Sequence, residues 1–153
     1  ATVAGGDGDR IAAMAADVCG HADAGATALR EAKYAWAGQL RASGDRDQAL
    51  KFYKELASDV KTREGSEAAY YVIEALFESG DLDKTESEVF AFSDREPNAY
   101  WLAKAFLLLG DVYVRKGDTF QARATYQSVA DGYSPADDGI VDEAKERIAK
   151  LKN

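Results

Sequence analysis

Residues capable of chemistry are few in this 153-residue chain, and none falls into a working constellation. His21 is the only histidine. It stands in the loop-like stretch Gly20-His21-Ala22-Asp23-Ala24-Gly25, and as a base it would need a nucleophile and an orienting acid beside it. It therefore reads as a surface histidine. Asp7 and Asp9 open like a calcium loop, but the place of the bidentate glutamate is taken by Val18 and the glycine falls at the wrong position. Cys19 is the only cysteine, which excludes an internal disulfide and a cysteine-cluster metal site. Glu86 with Glu88, and Asp137 with Asp138, lie on polar stretches with no accompanying cleft signal; they read as solvated faces or helix caps. No catalytic residue, cofactor-binding residue or metal ligand is assigned, and an enzyme is not expected.

Composition sets the remaining bounds. Hydrophobic residues make up 46% and charged residues 30%, with two prolines, so a helical protein with a sizeable core fits. The formal charge is −8, and the lysines and arginines are scattered among the acids. Nucleic acid, which requires a concentrated basic face, is excluded as a partner. The acidic balance reads as a solvated surface, or else as a preference for basic partner segments. The longest helix-like apolar stretch, Ala99 to Leu109, is interrupted by Lys104 and is too short to span a bilayer, so direct membrane insertion is not expected. It reads instead as a helix buried between neighbours on two sides.

The elements that must position any binding residues are set by a repeat. Gly-Asp recurs at Gly8-Asp9, Gly44-Asp45, Gly80-Asp81 and Gly117-Asp118, at intervals of 36, 36 and 37 residues. A fixed period of this size marks a helical repeat, each unit a pair of helices that buries its apolar face only against its neighbours. Five residues after each glycine comes Ala13, Ala49, Thr85 or Ala122, small enough for a second helix to lie close. One turn further on come Tyr53, Val89 and Tyr126, which fill the space beyond. The glycine supplies the left-handed backbone that ends the first helix, and the aspartate accepts from the free amides of the second. Asp45 with Gln48 and Asp118 with Gln121 resemble capping boxes, whereas Asp81 and Asp9 have Lys84 and Ala12 at that place.

These positions resemble the tetratricopeptide repeat. Phe106, Leu109, Gly110, Tyr113, Ala122 and Tyr126 match its pattern best; Ala37, Leu40, Ala49 and Tyr53, then Val72, Leu76 and Pro97, carry the two units before. Lys33, Ala69 and Thr85 depart from it. The resemblance covers about residues 8 to 134, and the stretch from Tyr70 onward is similar to the carboxyl-terminal end of long bacterial multi-repeat proteins of this family. It implies an all-α fold, a right-handed α-α superhelix of about three helical hairpins with an N-terminal half repeat and a C-terminal capping helix. The chain is thus expected to be a single repeat domain over 1–153, with a half repeat at 8–22, repeats at about 25–62, 66–97 and 98–134, and a cap at about 138–152.

Eight helices are expected, at about Asp9 to Gly20, Gly25 to Ala42, Arg46 to Val60, Ser66 to Ser79, Leu82 to Phe92, Asn98 to Lys116, Thr119 to Asp131 and Asp138 to Lys152. Gly65, Pro97, Asp131-Gly132 and Pro135 punctuate the gaps. The last helix places Val141, Ala144, Ile148 and Leu151 on one stripe and its charges elsewhere, apolar toward the last repeat and polar toward water. Trp36, Trp101 and most tyrosines fall in apolar stripes and are expected to pack in the core. Only seven residues precede Gly8, too few for a first helix of roughly ten residues. The chain is therefore expected to be cut from a longer array, its Ile11, Met14, Ala15 and Val18 side once covered by a preceding helix.

In arrays of this family the first helices of successive units line a concave groove. The resemblance carries ligand contact to Tyr34 and Arg41, then Tyr70, Glu74 and Phe77, then Asp111 and Arg115. Aromatic faces with charges beside them suit an extended peptide or a partner helix. The family members that clamp a terminal carboxylate use residues that correspond to Tyr34, Gly38, Tyr71, Lys104 and Leu108; only Lys104 agrees, so that subclass is excluded. The expectation is a non-enzymatic interaction scaffold for a protein or peptide. The alternative is a structural spacer, or a segment that self-associates through its open N-terminal end. Resemblance to envelope-associated repeat proteins leans toward a bacterial periplasm.

Overall fold

The computed structural model describes residues 25–135 and 137–151. The helix expected over Asp9 to Gly20, the first Gly-Asp turn, Cys19 and His21 lie outside the described residues. Seven helices occupy the described part: α1 Ala26–Ala42, α2 Arg46–Leu56, α3 Arg63–Glu78, α4 Leu82–Asp94, α5 Ala99–Arg115, α6 Thr119–Gly132 and α7 Ile140–Lys150. No strand occurs among the described residues. The fold is all-α, and its hairpins follow the expected repeat. The chain divides into two compact units, Ala1–Ala69 and Tyr70–Asn153. In the first, α1 packs on α2; in the second, α5 packs on α4, α6 and α7, and α6 also meets α7.

Three turns are built alike. Gly44, Gly80 and Gly117 have φ of 92°, 87° and 78°, a left-handed conformation that only glycine adopts without strain. The amide of each glycine donates three residues back, to Arg41, Phe77 and Val114, while the following aspartate amides reach Leu40, Leu76 and Tyr113 at 2.9, 3.2 and 2.9 Å. This double bond is the Schellman motif, which satisfies the last carbonyls of α1, α3 and α5. The same aspartates then turn forward. Asp45, Asp81 and Asp118 accept from the amides of Gln48, Lys84 and Gln121 at 3.3, 3.2 and 3.0 Å, capping α2, α4 and α6.

Beyond each turn the second helix is seated by its small residue. Ala49, Thr85 and Ala122 are buried, as are Tyr53, Val89 and Tyr126 one turn on. Thr85 keeps its hydroxyl satisfied by donating to the Asp81 carbonyl at 2.7 Å, so threonine serves where the repeat favours alanine. Side-chain sizes are matched across the hairpins. Gly110 lies under the Tyr126 ring, where an added Cβ would stand 2.2 Å from a ring carbon. At the corresponding places of the repeat stand Ala37 and Tyr53, and Ile73 and Val89; all four are buried.

Two boundaries differ from the expectation by three residues or more, the rest by two or fewer. α2 stops at Leu56 rather than Val60, and α3 begins at Arg63 rather than Ser66. The Asp59 carbonyl accepts from the Thr62 hydroxyl at 2.9 Å, and that hydroxyl in turn accepts from the Gly65 amide at 3.0 Å. Thr62 therefore caps α3 from three residues away, and Gly65 belongs inside the first turn instead of marking a gap. Buried Ser66 donates to the Val60 carbonyl at 2.6 Å and closes the connection. At the other end Gly139, with φ of 89°, precedes α7, and Asp138 accepts from the Ile140 amide at 3.2 Å.

Candidate protein-interaction surface

In the first unit, α1 projects Arg30 and Tyr34 from one face, four residues apart, as helical geometry requires. Both reach acids at the start of α3: Arg30 Nε lies 3.4 Å from Glu64 Oε1, and the Tyr34 hydroxyl donates to Glu67 Oε1 at 2.9 Å. Burial and then the bond to Glu67 raise the Tyr34 hydroxyl above its ordinary value. Arg41 is half-buried near the end of α1. Its charge pulls back on Tyr53, which burial pushes up.

The second unit holds the other five expected residues. Tyr70 is buried, 8% exposed, inside an aromatic cluster: its ring centroid lies 5.5 Å from Trp101 and 5.9 Å from Tyr71. Burial chiefly, and the Glu74 carboxylate next, push its hydroxyl far up. Lys104 Nζ sits 6.0 Å from the Tyr70 ring and 3.8 Å from Glu143. Arg115, exposed on the last turn of α5, lies over the Phe77 ring at 4.7 Å. Asp111 accepts from Arg147 Nε at 3.1 Å and from the Tyr126 hydroxyl. The structure thus joins Phe77 to Arg115 and brings Tyr70, Glu74 and Asp111 into one electrostatic neighbourhood. Asp111 and Tyr70 are already engaged by their own unit.

On α7, Glu143, which the sequence places on the polar, water-facing side, and Arg147 are further members. Arg147 bridges Asp111 and Glu143, the latter at 3.4 Å. Glu86 is likewise more than a solvated acid, for it accepts from the Tyr113 hydroxyl at 2.7 Å and from Lys116 Nζ at 2.9 Å, while Lys116 also reaches Asp83 at 2.6 Å. A signal existed: Arg30 with Glu64 and Asp111 with Arg147 are opposite charges separated by 34 and 36 residues, about one repeat. Among the described residues no cluster of three or more His, Cys, Asp or Glu is placed to hold a metal ion. No helix of the described residues is long and apolar enough to cross a membrane.

The family model described as tetratricopeptide repeat matches residues 104–134, which hold most of α5 and all of α6. Residues 104–134 thus resemble one tetratricopeptide repeat. No curated protein matches it. The tetratricopeptide repeat contains Gly110, Tyr113, Ala122 and Tyr126, the residues whose spacing pointed to it, and the Gly117-Asp118 turn at its middle. Such repeats serve in general as protein–protein interaction modules and not as enzymes.

One consequence of the α4–α5 contact can be measured. Burial and the bond to Glu86 push the Tyr113 hydroxyl up to about 12, against an ordinary 10.0. The unfolded chain therefore loses this proton first, so the stabilisation is complete below pH 10 and is lost as pH rises through about 12. In urea titrations Tyr113→Phe is expected to lose about 2 kcal/mol less than the parent between those limits. Glu86 has the opposite sign. Its bond from Lys116, then that from Tyr113, lowers its pKa from 4.5, and this contribution disappears as the medium becomes more acid than the lowered value.

Proposed function

We propose that this chain is an interaction scaffold whose first-helix faces bind an extended peptide or a partner helix, with contacts from Tyr34 and Arg41 in the first unit and, by themselves, from Tyr70, Glu74, Phe77, Asp111 and Arg115 in the second. The observation that supports this most is the exposed Arg115 guanidinium lying over Phe77 at 4.7 Å, an aromatic and cation pair next to half-buried Glu74. Arginine and aromatic side chains held in place before binding lose little entropy on contact and dominate interface energies. Tyr34, Tyr70 and Asp111, tied to neighbouring helices of their own unit, offer contact faces that are already held in place. The general role of the tetratricopeptide repeat agrees.

The test starts from a partner captured with the chain and mapped to a segment. Arg115→Glu combined with Phe77→Ala is expected to weaken that segment's binding by roughly a hundredfold, with the helical circular dichroism retained. An unchanged dissociation constant in the folded double variant would remove the groove from the account.

A further inference from the structure

A hollow recurs at one place in two hairpins, ringed by charges in one and not in the other. In the first unit it opens between the start of α1 and the end of α2, encloses about 220 Å³, and is lined by Ala26, Leu29, Lys33 and Leu56 among others. In the second it opens between the start of α5 and the end of α6, encloses about 330 Å³, and is lined by Ala99, Leu102, Phe106 and Val129 among others. Seven of the eight residues that line each hollow correspond at a spacing of 73, two repeat lengths, among them Ala26 with Ala99, Leu29 with Leu102 and Leu56 with Val129. The hollow is therefore a property of the hairpin, and its lining is what differs.

In the first hairpin the hollow carries charged side chains as well as apolar ones. Arg30, Lys33, Glu55 and Asp59 stand around it, and Lys33 Nζ meets Glu55 Oε2 at 3.6 Å across it, from α1 to α2. In the second the same four places are Ala103, Phe106, Ser128 and Gly132. No ion pair is possible between Phe106 and Ser128, so the apolar interior stays accessible. Its size is at the lower end for sites that take a ligand group and suits one bulky apolar side chain.

The rim adds a sign. Asp131 adjoins Gly132 and is exposed, and Tyr133, part of the lining, donates its hydroxyl to Asp138. Burial, then the bond to Asp138, push the Tyr133 hydroxyl up to about 12, with the Asp137 charge adding least. Asp131 accepts from the Gln127 amide at 2.9 Å. Among the described residues no lysine or arginine forms an ion pair with Asp131, Asp137 or Asp138. An apolar opening beside three unneutralised carboxylates complements a cationic segment, not an acidic one.

We infer that the α5–α6 hollow, bounded by Leu102, Phe106, Val129 and Tyr133, is a docking site for a basic partner segment that inserts a leucine- or phenylalanine-sized side chain. This site lies on residues distinct from the seven groove positions and does not rest on them. Three labelled peptides test it by fluorescence anisotropy: acetyl-Lys-Lys-Leu-Phe-Lys-Lys-amide, the same with alanine at both central places, and the same with glutamate for every lysine. The first is expected to bind, and the other two to bind roughly tenfold or more weakly.

Two variants separate the hollow from general charge attraction. Phe106→Lys with Ser128→Glu installs the closing pair of the first hairpin, and Gly132→Leu fills the opening. Gly132 has nothing within 4 Å of an added Cβ, so the second variant remains informative if the first fails to fold. Each folded variant is expected to reduce binding of the leucine-phenylalanine peptide roughly tenfold. Failure of that peptide to bind, equal binding of the alanine peptide, or undiminished binding to folded Gly132→Leu would overturn the assignment.

Discussion

Tyr126→Ala is expected to lower the stability of the second unit by about 4 kcal/mol, within the range for removing a buried aromatic ring. Tyr126 is 2% exposed and occupies the space above Gly110, so truncation leaves a void that a glycine on the facing helix cannot fill. A second loss adds to the first. The Tyr126 hydroxyl donates to Asp111, which also takes Arg147 Nε at 3.1 Å; without the tyrosine the half-buried carboxylate keeps only its cation. Tyr126→Phe isolates that part and is expected to cost about 1 kcal/mol. Urea unfolding of the two variants measures both figures. A loss below that of Tyr126→Phe in the alanine variant would mean that the ring does not organise this hairpin.

Gly65→Ala is expected to cost about 3 kcal/mol, although alanine is the better helix former by about 1 kcal/mol. A Cβ at Gly65 would stand 1.8 Å from the Asp59 carbonyl oxygen and 2.7 Å from its carbon. That oxygen belongs to backbone and is held by the Thr62 hydroxyl at 2.9 Å, so it cannot swing aside as a flexible side chain would. Overpacking therefore outweighs propensity. Gly38 is the control: it lies within α1 with nothing inside 4 Å of an added Cβ. Gly38→Ala is expected to stabilise by about 0.5–1 kcal/mol. A thermal denaturation series in which Gly65→Ala also stabilised would show that the Asp59–Thr62 connection does not constrain α3.

What the sequence made legible was the part governed by local rules and by the period. The Gly-Asp turns could be read because a left-handed glycine and an aspartate cap each leave a single-residue signature, and Gly44, Gly80 and Gly117 carry both. The seats of Ala49, Thr85 and Ala122 followed from their fixed distance to those turns. Gly65 misled for a physical reason: glycine ends helices often, yet here its missing side chain admits a carbonyl, a tertiary requirement invisible in a window of neighbours. Glu143 and Glu86 were misread similarly. A charge on a polar helix face looks solvated until the fold brings an opposite charge from about one repeat away. The hollow beside Phe106 could not be anticipated at all, since it is a space whose residues are individually ordinary.

The claim on which the account depends is that the hairpins are equivalent, so that a packing pair from one can stand in another. Replacing Gly110 and Tyr126 by the residues of the preceding hairpin, Gly110→Ile and Tyr126→Val, tests this in a double-mutant cycle read by urea unfolding. Gly110→Ile alone, forced against the ring, is expected to cost about 3 kcal/mol. Together with Tyr126→Val it is expected to recover about 2 kcal/mol of that loss, a coupling of the size found between contacting residues. Losses that simply add, with no recovery in the double variant, would contradict the equivalence of the repeats.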